Sequence, residues 1–180
     1  MAESSQDIPG WYGKLPGLGD FASRRLPDEF IRPWDAWLQS VIHVCRGNLG
    51  EAWLDCYLTM PIWRFVLLPG VVEASGWAGV LMPSVDRVGR QFPLTLVTTL
   101  SSEAGPAHAV FDGAEWFADM EDAALGVLDP NRGPDDLDRA LANCGFSPPA
   151  PVDQDGASGF LRRLPSTDAF PQVAQAEGLS

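Results

Sequence analysis

The 180-residue sequence predicts an α/β or α+β domain: an antiparallel or mixed sheet with helices packed against it. Three observations carry this reading. Three β-rich runs follow one another between residues 62 and 100, joined by connections shorter than the dozen or so residues a parallel crossover takes. Helical periodicity precedes them, from Phe30 to Cys45, and follows them, from Trp116 to Val127. The length is that of about one domain, and a hydrophobic fraction of 46% with seven tryptophans is enough to build its core.

The elements follow in order. "GWYGKL" (residues 10–15) reads as a short strand, ended by the Pro16-Gly17 and Gly19-Asp20 turn signals. Phe30, Trp34, Leu38, Val41 and Cys45 recur at spacings of three or four; because Pro33 breaks a helix interior, the main helix is expected to start near it, after a short turn at Pro27. "GNLG" ends that helix. "EAWLDCYLTM" gives a second, shorter one, stopped by Pro61. The strands are expected at Ile62–Leu68, Trp77–Met82 and Phe92–Leu100, and only the last, with its threonines, hints at a wetter face. Asp112 with Glu115 has the spacing of a capping box, and Phe111 with Trp116 that of a hydrophobic staple. Trp116, Met120, Ala124 and Val127 then mark an apolar helix face. "PDDLDRALANCG" gives a last helix with Leu137, Leu141 and Cys144 inward and Gly145 as its stop.

This organisation leaves a flexible N-terminus over residues 1–9, a domain over residues 10–146, and a Pro/Asp-rich tail over residues 147–180 that is at best partly ordered. Charge is equally uneven. The net charge is −12; residues 101–180 hold 14 acidic against 4 basic groups, and the front hundred hold 10 against 8. So acidic a chain lacks the positive field that phosphate backbones and anionic membranes select, which argues against nucleic acid as a partner. No apolar stretch reaches the roughly 20 residues of a membrane helix, and "MAESSQDIPG" is no signal peptide, so a soluble, cytoplasmic protein without membrane insertion is expected. Cys45, Cys56 and Cys144 include no CxxC pair and read as buried thiols, while His43 and His108 stand far apart; neither set makes a metal site.

The catalytic motifs fail one by one. "GWYGKL" lacks the glycine spacing of a P-loop, and Leu15 stands where a Ser or Thr should reach magnesium. "GLGDFA" has Ala22 in place of the third glycine of a dinucleotide fingerprint. Ser84 lies in "PSVD", outside any G-x-S-x-G elbow. His43 falls one position off its helix stripe with no Ser or Cys partner, and Glu115, Asp119, Glu121 and Asp122 read as the wet face of a helix. No cofactor is expected. Asp86, Arg87 and Arg90 remain, in "LMPSVDRVGRQFPLTL". Either they pin the connection between two strands, or Arg87 and Arg90 bind an anion or a partner.

Three stretches together, Gly10–Pro27, Trp34–Gly70 and Trp77–Leu96, resemble the N-terminal domain of the TagF (ImpM) family, accessory proteins of bacterial type VI secretion. The pattern G-[FWY]-x-G-K-x-P-x-x-G-D-F falls on Gly10, Trp11, Gly13, Lys14, Pro16, Gly19, Asp20 and Phe21. The pattern P-S-x-D-x-x-G-R-x-[FY]-P falls on Pro83, Ser84, Asp86, Gly89, Arg90, Phe92 and Pro93, and Trp34 heads the middle stretch. The resemblance covers roughly residues 10–130 and implies an α/β/α sandwich, a central sheet with helices on both sides. It implies a non-enzymatic, post-translational repressor of type VI secretion. Its implied partner is the forkhead-associated-domain scaffold protein, in a setting with a threonine kinase and its opposing phosphatase. The alternative from the residues is a binding module for a small anionic or phosphorylated ligand, held by Lys14, Arg87 and Arg90. Asp86 and Arg90 are expected to lock the turn, with Arg87 the one to face a partner.

Overall fold

The computed structural model describes residues 8–100, 114–129 and 131–144. Five strands, β1 (Gly10–Lys14), β2 (Phe21–Arg24), β3 (Trp63–Leu67), β4 (Gly76–Met82) and β5 (Leu94–Leu100), form one sheet in the order β2-β1-β5-β4-β3. All neighbours run antiparallel, which decides between the two sheet types expected. The first strand is drawn into the middle: Trp11 stands opposite Leu96 and Tyr12 opposite Thr95. β2 and β3 become the edges. β2 was not expected, because "FASR" has exposed residues at three of its four positions and so carries no alternating signal.

The helices are α1 (Asp28–Leu49), α2 (Trp53–Leu58) after a 3-10 turn at Gly50–Ala52, α3 (Ala114–Gly126) and α4 (Pro134–Asn143). α1 starts earlier than expected and carries Pro33 inside it. An interior proline costs a helix about 3 kcal/mol. Phe30, Trp34 and Leu38 form one buried stripe across that proline, and burial gives roughly 1.5–3 kcal/mol for each such side chain, so the stripe wins. Gly50, at φ 51, ends α1 as the "GNLG" signal predicted.

Alternate strand residues enter two buried clusters, as the period of two dictates. Ala78, Val80, Met82, Leu94 and Leu96 pack with Trp116, Met120, Ala124, Leu137 and Leu141 of α3 and α4. Tyr12, Trp77 and Val97 pack with Phe30, Trp34 and Leu38 of α1. β5 is therefore central, and its threonines do not make a wet face: Thr95 and Thr98 are buried, and Thr95 Oγ1 accepts a hydrogen bond from Trp34 Nε1 at 2.8 Å.

The apolar faces of α3 and α4 are those expected, with Val127 and Cys144 buried just past the helix ends. Glu115, Asp119 and Asp122 are exposed, whereas Glu121 accepts both ends of the Arg64 guanidinium, at 2.6 and 2.9 Å, and ties α3 to β3. Of the three cysteines only Cys144 is buried; Cys45 is half-buried and Cys56 exposed, because the short α2 buries Tyr57 alone. The capping box and staple at residues 111 and 112, the Gly145 stop, and both chain ends lie outside the described residues. Among those described, no helix is long and apolar enough to cross a membrane.

Gly13 has φ 139, and a Cβ there would collide with the Pro93 carbonyl oxygen. Gly13→Ala should therefore lower the urea-unfolding free energy by about 2 kcal/mol or more. Gly47→Ala is the control: it lies within α1 with nothing inside 4 Å of a built Cβ. It should stabilise by roughly 0.5–1 kcal/mol.

Candidate functional site

The two family patterns meet in space. The end of β1 carries Lys14 next to the β4–β5 connection, residues 83–93, and beside the first residue of β2. At the centre is Asp86, whose side chain is wholly buried. Its Oδ2 accepts from Lys14 Nζ and from Arg90 Nε, each at 2.6 Å. Its Oδ1 accepts from the backbone amides of Val88 at 3.0 Å and Arg90 at 2.9 Å. The turn closes with backbone bonds from Asp86 N to Arg90 O and from Gly89 N to Asp86 O. Gly89 takes φ 83, a left-handed value that glycine reaches without steric cost.

Further bonds tie this turn to the one after β1. Arg87 N donates to Leu18 O at 2.9 Å, and Arg90 Nη2 donates to Gly19 O. Ser84 Oγ donates to Lys14 O at 2.7 Å. Tyr57, from α2, receives the Ser84 amide at 2.9 Å and donates to the Ser84 carbonyl at 2.8 Å. Burial pushes the Tyr57 phenol up to about 12. Nothing in the sequence marked Tyr57 as part of this region; it lies well over 20 residues from Ser84, and a single tyrosine on a short helix carries no spacing signal.

The Lys14 ammonium also sits 4.5 Å from the centre of the Phe21 ring, a cation–π contact. Phe21 meets Phe92 edge-on at 4.7 Å, and Tyr12 completes the aromatic group. Asp20 Oδ1 accepts the Phe21 amide at 2.8 Å and starts β2. Pro16 and Pro83 are half-buried and Pro93 is buried. Trp34 stands apart from this region, in the cluster under α1.

Lys14, Arg87 and Arg90 are thus treated differently. Lys14 and Arg90 both converge on Asp86, whereas the side chain of Arg87 is exposed beside Val88 at the tip, and Val88 is 67% exposed. His43 is exposed on α1. No set of three or more His, Cys, Asp or Glu among the described residues is arranged to hold a metal.

Burial alone would raise the Asp86 pKa, but the Lys14 ammonium, the Arg90 amide and guanidinium and the Val88 amide outweigh it and hold the carboxyl well below the usual range. A depressed pKa contributes stability that is complete above the unfolded value of about 3.9 and fades as pH falls toward the folded value. Removing one member of a buried pair leaves the other charge uncompensated. Asp86→Asn should lower the melting temperature at pH 7 by roughly 10 °C or more. It should also flatten the loss of stability below pH ~4 that the parent shows in thermal scans. Lys14→Met should cost a similar amount, and the double variant should cost less than the two singles added.

A family model for the TagF N-terminal domain, described as type VI secretion system-associated, matches residues 10–144. The crystal structure of PA0076 from Pseudomonas aeruginosa PAO1 superposes with a TM-score of 0.70 at 44% sequence identity. That match covers 80% of this chain and 64% of PA0076, so the chain spans less than two thirds of that protein. No curated protein matches it by sequence. With a family model matched over most of its length and its two motifs folded around one buried carboxylate, the chain belongs to the TagF N-terminal domain family, associated with type VI secretion.

Proposed function

We propose that this chain is a non-enzymatic, cytoplasmic accessory protein that represses type VI secretion after translation by binding the forkhead-associated-domain scaffold protein. The functional setting is the one the family resemblance implies, a threonine kinase and its opposing phosphatase. One observation carries the reading: the polar groups of the two motifs bond to one another and to the main chain. Ser84 is 3% exposed with its hydroxyl donating to a backbone carbonyl, and Asp86 is surrounded by four donors. A nucleophile or a general base has to reach a substrate. These groups support a surface instead, and what they hold outward is Arg87 and Val88.

A turn fixed in this way loses little freedom when a partner docks, so its contacts translate into affinity with a small ordering cost. The small-anion alternative needs Lys14 and Arg90 as well as Arg87, but Lys14 is buried and both it and Arg90 are already engaged by the Asp86 carboxylate. That favours a protein partner. We read the acting domain as residues 10–146 and its architecture as an α/β/α sandwich, supported by the separation of the α1 cluster from that of α3 and α4 along alternate strand residues.

Deleting the gene should raise effector secretion while leaving transcript levels unchanged; secretion that stays the same or falls would refute the repressor reading. In a pull-down with the purified scaffold protein, Arg87→Glu should weaken binding about tenfold or more, equivalent to ~1.4 kcal/mol. Its melting temperature should match the parent's, since Arg87 is exposed and among the described residues its side chain makes no ion pair.

A further inference from the structure

A groove of about 740 Å³ runs between α1, α2 and the edge strand β3. Its lining is almost entirely apolar. The single charged side chain along it, Arg64, is bound by Glu121 on α3. Exposure of large side chains here is unusual: Trp37 is 50% exposed, Trp63 54% and Val71 62%, with Val41 and Leu49 also open. None of these residues takes part in the turn around Asp86. Beside the groove, β3 pairs with β4 on one side, and no other described strand covers its second side.

We propose that this face is the interface of a homodimer, with β3 of one copy pairing antiparallel to β3 of the other across a two-fold axis perpendicular to the sheet. The sheet is antiparallel throughout, so the pairing continues its hydrogen-bonding pattern without a change of direction. A two-fold in that orientation keeps each face of the sheet on its own side. Trp63, Phe65 and Leu67 alternate with Arg64 and Val66, so the three groove residues of both copies come to lie on one common face. Trp63 of each copy is then carried over the rim toward the groove of its mate. Groove and projection belong to the same surface, as an isologous contact requires.

Charge and area agree with this occupant. The chain carries −12, yet the groove adds no unpaired charge to the contact, so two acidic copies can meet there without burying like charges. Five open side chains, Trp37, Val41, Leu49, Trp63 and Val71, expose on the order of 500 Å² of mostly apolar surface, the larger part of the ~800 Å² each partner gives a standard-size interface. The half-buried residues between them and the β3 backbone edge supply the rest.

The test is sedimentation equilibrium on the full chain at roughly 50 µM, well above the micromolar or tighter constants such areas support. The parent should sediment with twice the chain mass. Trp63→Arg or Val71→Asp, both at exposed positions, should return the mass to that of one chain, with the circular dichroism spectrum unchanged and a melting temperature that no longer rises with protein concentration. A monomeric parent would overturn the proposal and leave the groove to a different protein. A dimer that persists in both variants would overturn it as well, by placing the interface elsewhere.

Discussion

The carboxylate of Asp86 accepts two side-chain and two backbone donors; three come from its own turn and the fourth, the Lys14 ammonium, comes from the end of β1. Lys14 brings the end of β1. Arg90 and Val88 bring the far side of the β4–β5 connection. Through Arg90, whose guanidinium also reaches Gly19, the turn between β1 and β2 is drawn in. A buried ammonium and a buried carboxylate are each expensive to desolvate, and only close geometry with every lone pair used offsets that expense. Here the geometry supplies it. The pair is a specification device more than a source of net stability: it makes one arrangement of three segments the only one in which neither charge is stranded.

That has a consequence for how the family patterns should be understood. Glycine, lysine, serine, aspartate and arginine at fixed spacings resemble the ingredients of a catalytic site, yet each has a structural task. Gly13 lets β1 pass against Pro93, Lys14 neutralises Asp86, Ser84 bonds to the Lys14 carbonyl, and Gly89 supplies the left-handed corner. In P-S-x-D-x-x-G-R, Arg87 and Val88 occupy two of the unspecified positions, and they are the ones the turn exposes.

Much of this was legible from residue order, and the failures have physical reasons. Strands β3, β4 and β5 were visible because β-branched and aromatic runs ended at turn residues; α3 and α4 were visible because their apolar faces keep a helical period. The rule about Pro33 starts α1 too late because it is local, whereas the burial of Phe30 and Trp34 that overrides it is not. The β5 threonines read as wet because hydroxyls are polar, and no rule of period reveals that a tryptophan on α1 will donate to one of them. β2 has little apolar content, and exists because β1 offers it an edge. At the site, the roles of Asp86 and Arg90 followed from the chemistry of turns. Lys14 as their partner did not: the contact joins residues 72 positions apart.

That separation also shapes how the chain can acquire its structure. Among the described strands β1 comes first in the sequence, yet it is bordered by β5, which comes last. Lys14 cannot meet its partner carboxylate until Asp86 has been made, 72 residues later. The β4–β5 hairpin, with Asp86 already capping its own turn through Val88 and Arg90, needs only local contacts to form. Closing the longer loop to β1 carries the larger entropic cost. The sheet is therefore a local hairpin joined to a strand distant in sequence, and the ion pair is the latch between them.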